Sequence, residues 1–218
     1  MKSIKDIVEE LLNETPLAGK GDWNDGEKRI EVNTIRLDVL KRNYKEIYLT
    51  SIEIDKEYEV KWFFDENELH IKIGYIIIEK EVERFKQIGH IQLKRRKDIE
   101  KIKKDYNPLY QVEEIVFHKK FRGFGLGKLS YVILLEILKI NILSDSVQYD
   151  SPRRIYAKLS HFSNVYCDII DVYEKEIIEE NYKIFYKEKD LLYLDDKVWD
   201  FNPFSGYDEI GIILYTKK

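Results

Sequence analysis

The sequence predicts one α/β domain of the α+β kind, with a central mixed, mostly antiparallel sheet flanked by helices. Three observations lead there. Two-residue alternation recurs between residues 46 and 120, as in EIYLTSIEI, YEVKWFF, ELHIKIGYIIIEK and QIGHIQLK, the pattern of half-buried strands. Leu126 to Ile140 is apolar on most sides at helical spacing, as a helix buried against a sheet should be. No repeat, low-complexity tract or linker-like composition interrupts the 218 residues, a length that suits a single large domain.

Taken in order, IKDIVEELL (4–12) puts Ile4, Ile7, Val8, Leu11 and Leu12 on one helical face. LAGKGDWNDGEK (17–28) reads as a loop from its Gly, Asp and Asn, and TIRLDVLKRN (34–43) suits a helix. These make an N-terminal helix-and-loop part, 1–45, ahead of the strand-rich part, 46–110. The latter ends in RRKDIEKIKKDYNP (95–108), polar and basic, which reads as one or two helical turns before Pro108. In 111–160, VEEIVFHKK (112–120) is an apolar strand, the buried helix follows, and RRIYAKLS (153–160) reads as another strand. In 161–218, residues 165–180 are expected to be helical. YKIFYKEKDLLYLDD (182–196) and EIGIILYTKK (209–218) are expected to close the sheet.

Composition narrows the function. With 44% hydrophobic residues, 16 Tyr, 10 Phe and 3 Trp, the chain has the apolar matter for a core and does not read as disordered. Its 37 basic and 41 acidic residues give a net charge of −4, which argues against a protein that mainly coats nucleic acid. Cys167 is the sole cysteine. It can form no internal disulfide and no multi-cysteine metal site, so a reducing compartment, the cytoplasm, is expected. A buried thiol is the ordinary fate of such a residue. MKSIKDIVEELLNE lacks the uninterrupted apolar core of a secretion signal, and Leu126–Leu143 is too polar and short to span a bilayer. No His, Cys and carboxylate spacing suggests a metal site.

The run HKKFRGFGLGKLSYVILLEIL (118–138) sets Gly123, Gly125 and Gly127 alternately behind Arg122, where a strand gives way to a helix. Glycine there lets the backbone approach a ligand and take positive φ. The phosphate loop of nucleotide hydrolases, G-x-x-x-x-G-K-(S/T), does not fit. Arg122 occupies its first glycine position, and Leu129 stands where the hydroxyl residue must hold magnesium. The dinucleotide fingerprint G-x-G-x-x-G fails on spacing and lacks its acidic residue. The pattern R-x-x-G-x-G is met by Arg122, Gly125 and Gly127.

That pattern resembles the acetyl-coenzyme A signature of the GCN5-related N-acetyltransferase (GNAT) family. There an apolar strand ends in V-x-P-x-(Y/F)-R-G-x-G-x-G and leads into a helix. Phe117 stands at the valine position, Phe121 at the aromatic one and Arg122-Gly123 at the Arg-Gly pair, while Lys119 replaces the proline. The likeness is sharp over 112–138 and looser over 154–216. It implies a GNAT-like domain with splayed strands at a cofactor cleft. It also implies that Phe117, His118, Lys119, Arg122, Gly123, Phe124, Gly125, Leu126, Gly127 and Lys128 hold acetyl-CoA. The physics agrees: main-chain N–H groups at a helix N-terminus suit a diphosphate, and Arg122, Lys128, Lys119 and Lys120 offer cations for phosphate oxygens. His118 reads as a solvated or cofactor-flanking side chain.

The implied reaction transfers the acetyl group to an amine by direct attack on the thioester. An amine of pKa about 10.4 must first lose its proton, and Glu113 or Glu114, on opposite faces of a regular strand, is the candidate base. Backbone N–H groups around Phe117–Lys119 would hold the thioester oxygen. Tyr173, in VYEK, resembles the family's LYEK tyrosine, which protonates the leaving thiolate, and Tyr186 is the alternative. The acceptor, small molecule or protein, is left open, as is a homodimer. The acidic residues Asp168, Asp171, Glu174, Glu176, Glu179 and Glu180 would suit a cationic acceptor or form a solvated helix face. Nucleic acid could be met only through the basic run 93–104, which no aromatic interrupts to stack a base. The alternative to an enzyme is a catalytically inactive GNAT-like protein that binds acetyl-CoA in a regulatory or interaction role.

Overall fold

The computed structural model describes residues 33–54, 58–144, 150–184 and 210–217. Over them the protein is an α+β fold with few helices and one large mixed sheet of ten strands, above the usual roughly 4 to 6. The strands are β1 (Thr34–Arg36), β2 (Lys45–Ile54), β3 (Tyr58–Asp65), β4 (His70–Glu79), β5 (Val82–Arg95), β6 (Leu109–Phe117), β7 (Asn141–Leu143), β8 (Tyr166–Asp171), β9 (Glu176–Glu179) and β10 (Ile210–Tyr215). The helices are α1 (Leu37–Asn43), α2 (Lys97–Glu100), α3 (Leu126–Val132) and α4 (Asp150–Ser160). The expected helix at 4–12, the loop at 17–28 and most of the strand at 182–196 lie outside the described residues.

The chain divides into two compact units. One comprises residues up to Leu93 with Glu113–Ser130, the other Lys94–Val112 with residues from Tyr131 on. The divisions fall inside β5, β6 and α3, which is why no linker composition marks them in the sequence.

In the first unit, β2, β3, β4 and β5 form an antiparallel meander, with β1 antiparallel to β5. Alternation decides its faces. Trp62, Ile71, Ile73 and Ile91 are fully buried, while Phe63, Lys72 and His90, in register with one another, alternate with them on the opposite face. On that second face α1 lays Leu37 and Leu40 against Phe63 and Phe85, each burial contributing about 1.5–3 kcal/mol. An irregularity between Ile73 and Gly74 shifts the β4–β5 register. Beyond it Gly89 lies so close to β6 that a Cβ there would stand 2.6 Å from the Phe117 ring and 2.8 Å from the Val116 carbonyl. A hydrogen bond from His118 N to Ile88 O, 2.7 Å, fixes the same approach.

In the second unit, β6 and β7 run parallel over Leu109–Gln111 and Asn141–Leu143. β7, β10, β8 and β9 follow in that order, all antiparallel. Its core gathers Ile99, Tyr106, Leu109, Leu143, Ile170, Ile213 and Tyr215. Beyond α3 the backbone widens into a π-helical stretch, Ile133–Ile137, closed by Leu138 N to Ile133 O at 3.0 Å.

Two expectations are corrected. RRIYAKLS is not a strand but the end of α4, with Tyr156, Ala157, Leu159 and Ser160 buried. Residues 165–180 are not helical but form the β8–β9 hairpin, turned through Lys175 at φ 60°. The acidic residues there consequently share no helix face, and Asp168 is fully buried.

Candidate functional site

The glycine junction is built from the end of β6. After Phe117 the chain makes one turn of 3-10 helix, Lys119–Phe121, capped by His118, whose Nδ1 accepts from Lys120 N at 3.3 Å. Phe121 anchors the turn, buried beside the Tyr75 ring at 6.1 Å. Arg122 is extended, at φ −77° and ψ 148°, and exposed. Its Nε donates to Phe117 O at 3.0 Å, which uses one of five guanidinium N–H groups. Gly123 and Gly125 have φ of 89° and 75°, a region other residues avoid. Gly125 then acts as the N-cap: its carbonyl accepts from Leu129 N at 3.0 Å. By helical geometry the amides of Leu126, Gly127 and Lys128 have no partner within α3.

The cations at this junction are not equivalent. Arg122, Lys119 and Lys120 are exposed, whereas Lys128 is buried at 8% exposure. Phe124 is exposed and Leu126 buried.

On β6 the two candidate carboxylates separate as alternation requires. Glu113 is exposed, while Glu114 Oε2 lies 3.1 Å from His90 Nε2 on β5. The His90 ring meets the His70 ring edge-on, with centroids 5.4 Å apart, and His70 Nδ1 lies 3.0 Å from the Tyr44 hydroxyl. Lys72, in register with His90, sets its ammonium 4.9 Å from the centre of the Tyr44 ring. Burial, with the charges of His90 and Lys72 adding to it, pushes His70 down to about 4. Burial likewise lowers Lys72 and raises Tyr44, the latter helped by Asp65 and Glu68. Three strands and the C-cap of α1 thus bring together a tyrosine, two histidines, a lysine and a glutamate. Sequence reasoning missed all of these except Glu114. The available signal was polar residues, His70 with Lys72 and His90 with Gln92, at alternate positions of otherwise apolar strands.

The remaining candidates belong to the second unit. Tyr173 stands in the β8–β9 turn at 74% exposure, and Tyr186 lies outside the described residues. The helical α4 introduces a further tyrosine, Tyr156, which is buried and edge-on to Tyr131 at 5.4 Å. Tyr131 sits on α3, the helix that starts at the glycine junction. Cys167 is fully buried, and burial pushes its thiol up to about 12. Within the basic run 93–104, Arg95 pairs with Glu100 at 3.0 Å and Arg96 with Asp98 at 2.9 Å. Lys103 pairs with Asp168 at 2.8 Å and Glu180 at 3.2 Å. Much of the run's positive charge is therefore held in ion pairs.

Asp168 also accepts from Tyr106 Oη at 2.7 Å, Tyr215 Oη at 3.3 Å and Asn181 N at 2.9 Å. Burial alone would lower the Lys103 ammonium, but its bonds to Asp168, Tyr215 and Glu180 outweigh that and hold it well above its usual range. Burial, then Asp168, raises Tyr106 far above an ordinary phenol. Burial takes Tyr215 to about 12 against the opposing pull of Lys103.

Among the described residues, no cluster of three His, Cys, Asp or Glu could hold a metal ion, and no helix is long and apolar enough to cross a membrane. Compared with protein-family models, curated proteins and solved structures, the chain matches none.

Proposed function

We propose that this protein is an acetyl-CoA-dependent N-acetyltransferase of GNAT-like fold, with an amine as acceptor. The observation that carries the reading is the glycine junction. An exposed arginine, two glycines at positive φ and the first turn of a helix follow one another without interruption. That is a cradle for a diphosphate, with N–H groups and the helix dipole aimed at negative charge. Phe117, His118 and Lys119 would hold the pantetheine side, and Arg122 to Lys128 the diphosphate. Tyr173, with Tyr186 as the alternative, is the candidate to protonate the departing thiolate.

Thermal unfolding in the presence of acetyl-CoA tests the reading. Ligand at 100 times Kd should stabilise the protein by about 2.7 kcal/mol. No shift at millimolar acetyl-CoA would end it. Release of free thiol with a panel of amines then separates an enzyme from a cofactor-binding protein without turnover.

A further inference from the structure

We propose, resting on the acetyltransferase reading above, that Nδ1 of His90 takes the proton from the attacking amine and that Glu114 is the residue that positions it. The first observation is the 3.1 Å contact of His90 Nε2 with Glu114 Oε2. An ionised carboxylate only accepts, so Nε2 carries the hydrogen and Nδ1 keeps its lone pair. The carboxylate also lies where it stabilises the imidazolium that forms, the role an acidic partner plays beside any histidine base. The Glu114 oxygen is occupied by the Nε2–H, whereas Nδ1 keeps a lone pair for an incoming proton. The ring, rather than Glu114 itself, is therefore the acceptor.

The second observation distinguishes the two histidines. The rings meet edge-on at 5.4 Å, so one proton disfavours another. Burial lowers His70 to about 4, and its Nδ1 is occupied by the Tyr44 hydroxyl. Asp65, in register with His70, and Lys72, in register with His90, complete the charged surroundings, with Glu68 acting on Tyr44. His70 is thus already engaged, which leaves His90, beside Glu114, as the ring that takes the amine's proton. Side-chain exposures of 21% for His90 and 35% for Glu114 leave a path by which it returns to water.

The third observation is position. His90 follows Gly89, whose missing Cβ admits the Phe117 ring, and Ile88 O is bonded to His118 N. The pair thus lies beside the strand end that leads into the cofactor loop.

The step balances. The amine nitrogen forms a C–N bond to the thioester carbonyl carbon and the C–S bond breaks. One proton passes from nitrogen to His90 Nδ1 and on to solvent, and the sulfur gains one from a tyrosine or water.

The test uses the full chain with acetyl-CoA, following thiol release between pH 5.5 and 9 with spermidine, a lysine peptide and water as probes. His90→Gln should lower turnover about 10²–10⁴-fold and abolish the acid limb of the rate profile, with acetyl-CoA affinity within about threefold of wild type. Glu114→Gln should move that limb to lower pH by about one unit, and Glu114→Asp should restore part of it. Imidazole NMR, assigned by substituting each histidine in turn, should find His90 as the Nε2–H tautomer, and this readout stands even where His90→Gln folds poorly. The Nδ1–H tautomer, or His90→Gln with full rate and an unchanged limb, overturns the role of His90 and leaves the acetyltransferase reading intact. Failure of the wild type to bind acetyl-CoA removes that reading and this role with it. Binding without turnover by any probe overturns both the base and the transfer reaction.

Discussion

Replacing Gly123 by alanine isolates the backbone's share in the cradle. A Cβ built on Gly123 meets nothing within 4 Å, so the variant suffers no clash. Its only penalty is the φ of 89°, a region that costs an L-residue about 1–2 kcal/mol. That energy must show in one of two places. If the loop keeps its shape in the free protein, folding bears it, and the melting temperature of a chain this long falls by roughly 2–8 °C. If the loop relaxes, acetyl-CoA must restore it, and Kd rises about 5- to 30-fold. Urea unfolding and calorimetric titration together should recover a sum of about 1–2 kcal/mol. Gly123→Asn should lose less, because asparagine visits the left-handed region more readily. Unchanged stability together with unchanged affinity for Gly123→Ala would refute the claim that this backbone conformation matters to the cradle.

Two further outcomes are expected. Arg122→Glu should raise the Kd for acetyl-CoA about 10- to 100-fold, the loss of one charge-assisted hydrogen bond. Tyr173→Phe should leave Kd nearly unchanged and lower kcat; an equal loss of affinity in both variants would undo the assignment. Tyr106→Phe tests the alkaline limit. The folded protein keeps the Tyr106 proton far above the ordinary phenol value, while the unfolded chain loses it near pH 10. Stability contributed by that proton is therefore present below pH 10 and falls as pH rises beyond it, by about 1.4 kcal/mol at pH 11. Urea unfolding at pH 9 and 11 should find the variant's loss smaller than the wild type's by that amount, and identical losses would contradict it.

What could be read from the sequence follows from where periodicity is unambiguous. β3, β4 and β5 carry apolar residues at alternate positions over much of their length, and this announced them even though α1 covers Phe63 and Phe85 on the second face. The helix beginning at Leu126 is buried all round, with Leu129 and Tyr131 to Leu135 at 2% exposure or less, and its apolar run announced it too. The misread segments are those in which two periods overlap. In RRIYAKLS, Ile155, Ala157 and Leu159 alternate, yet Tyr156 and Ser160 also stand one helical turn apart. β8 is buried on both faces from Cys167 to Ile170, so it does not alternate, and Asp168 disguises its apolar run as a charged helix face. Its turn bends at Lys175 rather than at glycine or asparagine. The histidine cluster had no motif to betray it, since His70, His90 and Glu114 are brought together by strand register across 44 residues of chain.

The two polar clusters also show why similar chemistry serves different ends. Asp168 is fully buried and receives an ammonium, two phenols and a backbone amide. Its charge is compensated within the core, and removing a partner would leave a buried carboxylate short of donors, a destabilising change. No substrate can reach it, and its groups are raised so far that they keep their protons at neutral pH. Glu114 and His90 are built on an imidazole and a carboxylate that both touch solvent. A group that must accept and release a proton in each turnover has to exchange with water, and it must have a neutral neighbour rather than a charged one to do so near neutrality. His70, kept uncharged by its burial, supplies that neighbour. The contrast makes Asp168 a fixture of the second unit's core, whereas the His90–Glu114 pair has the contact with solvent that the proposed proton transfer requires.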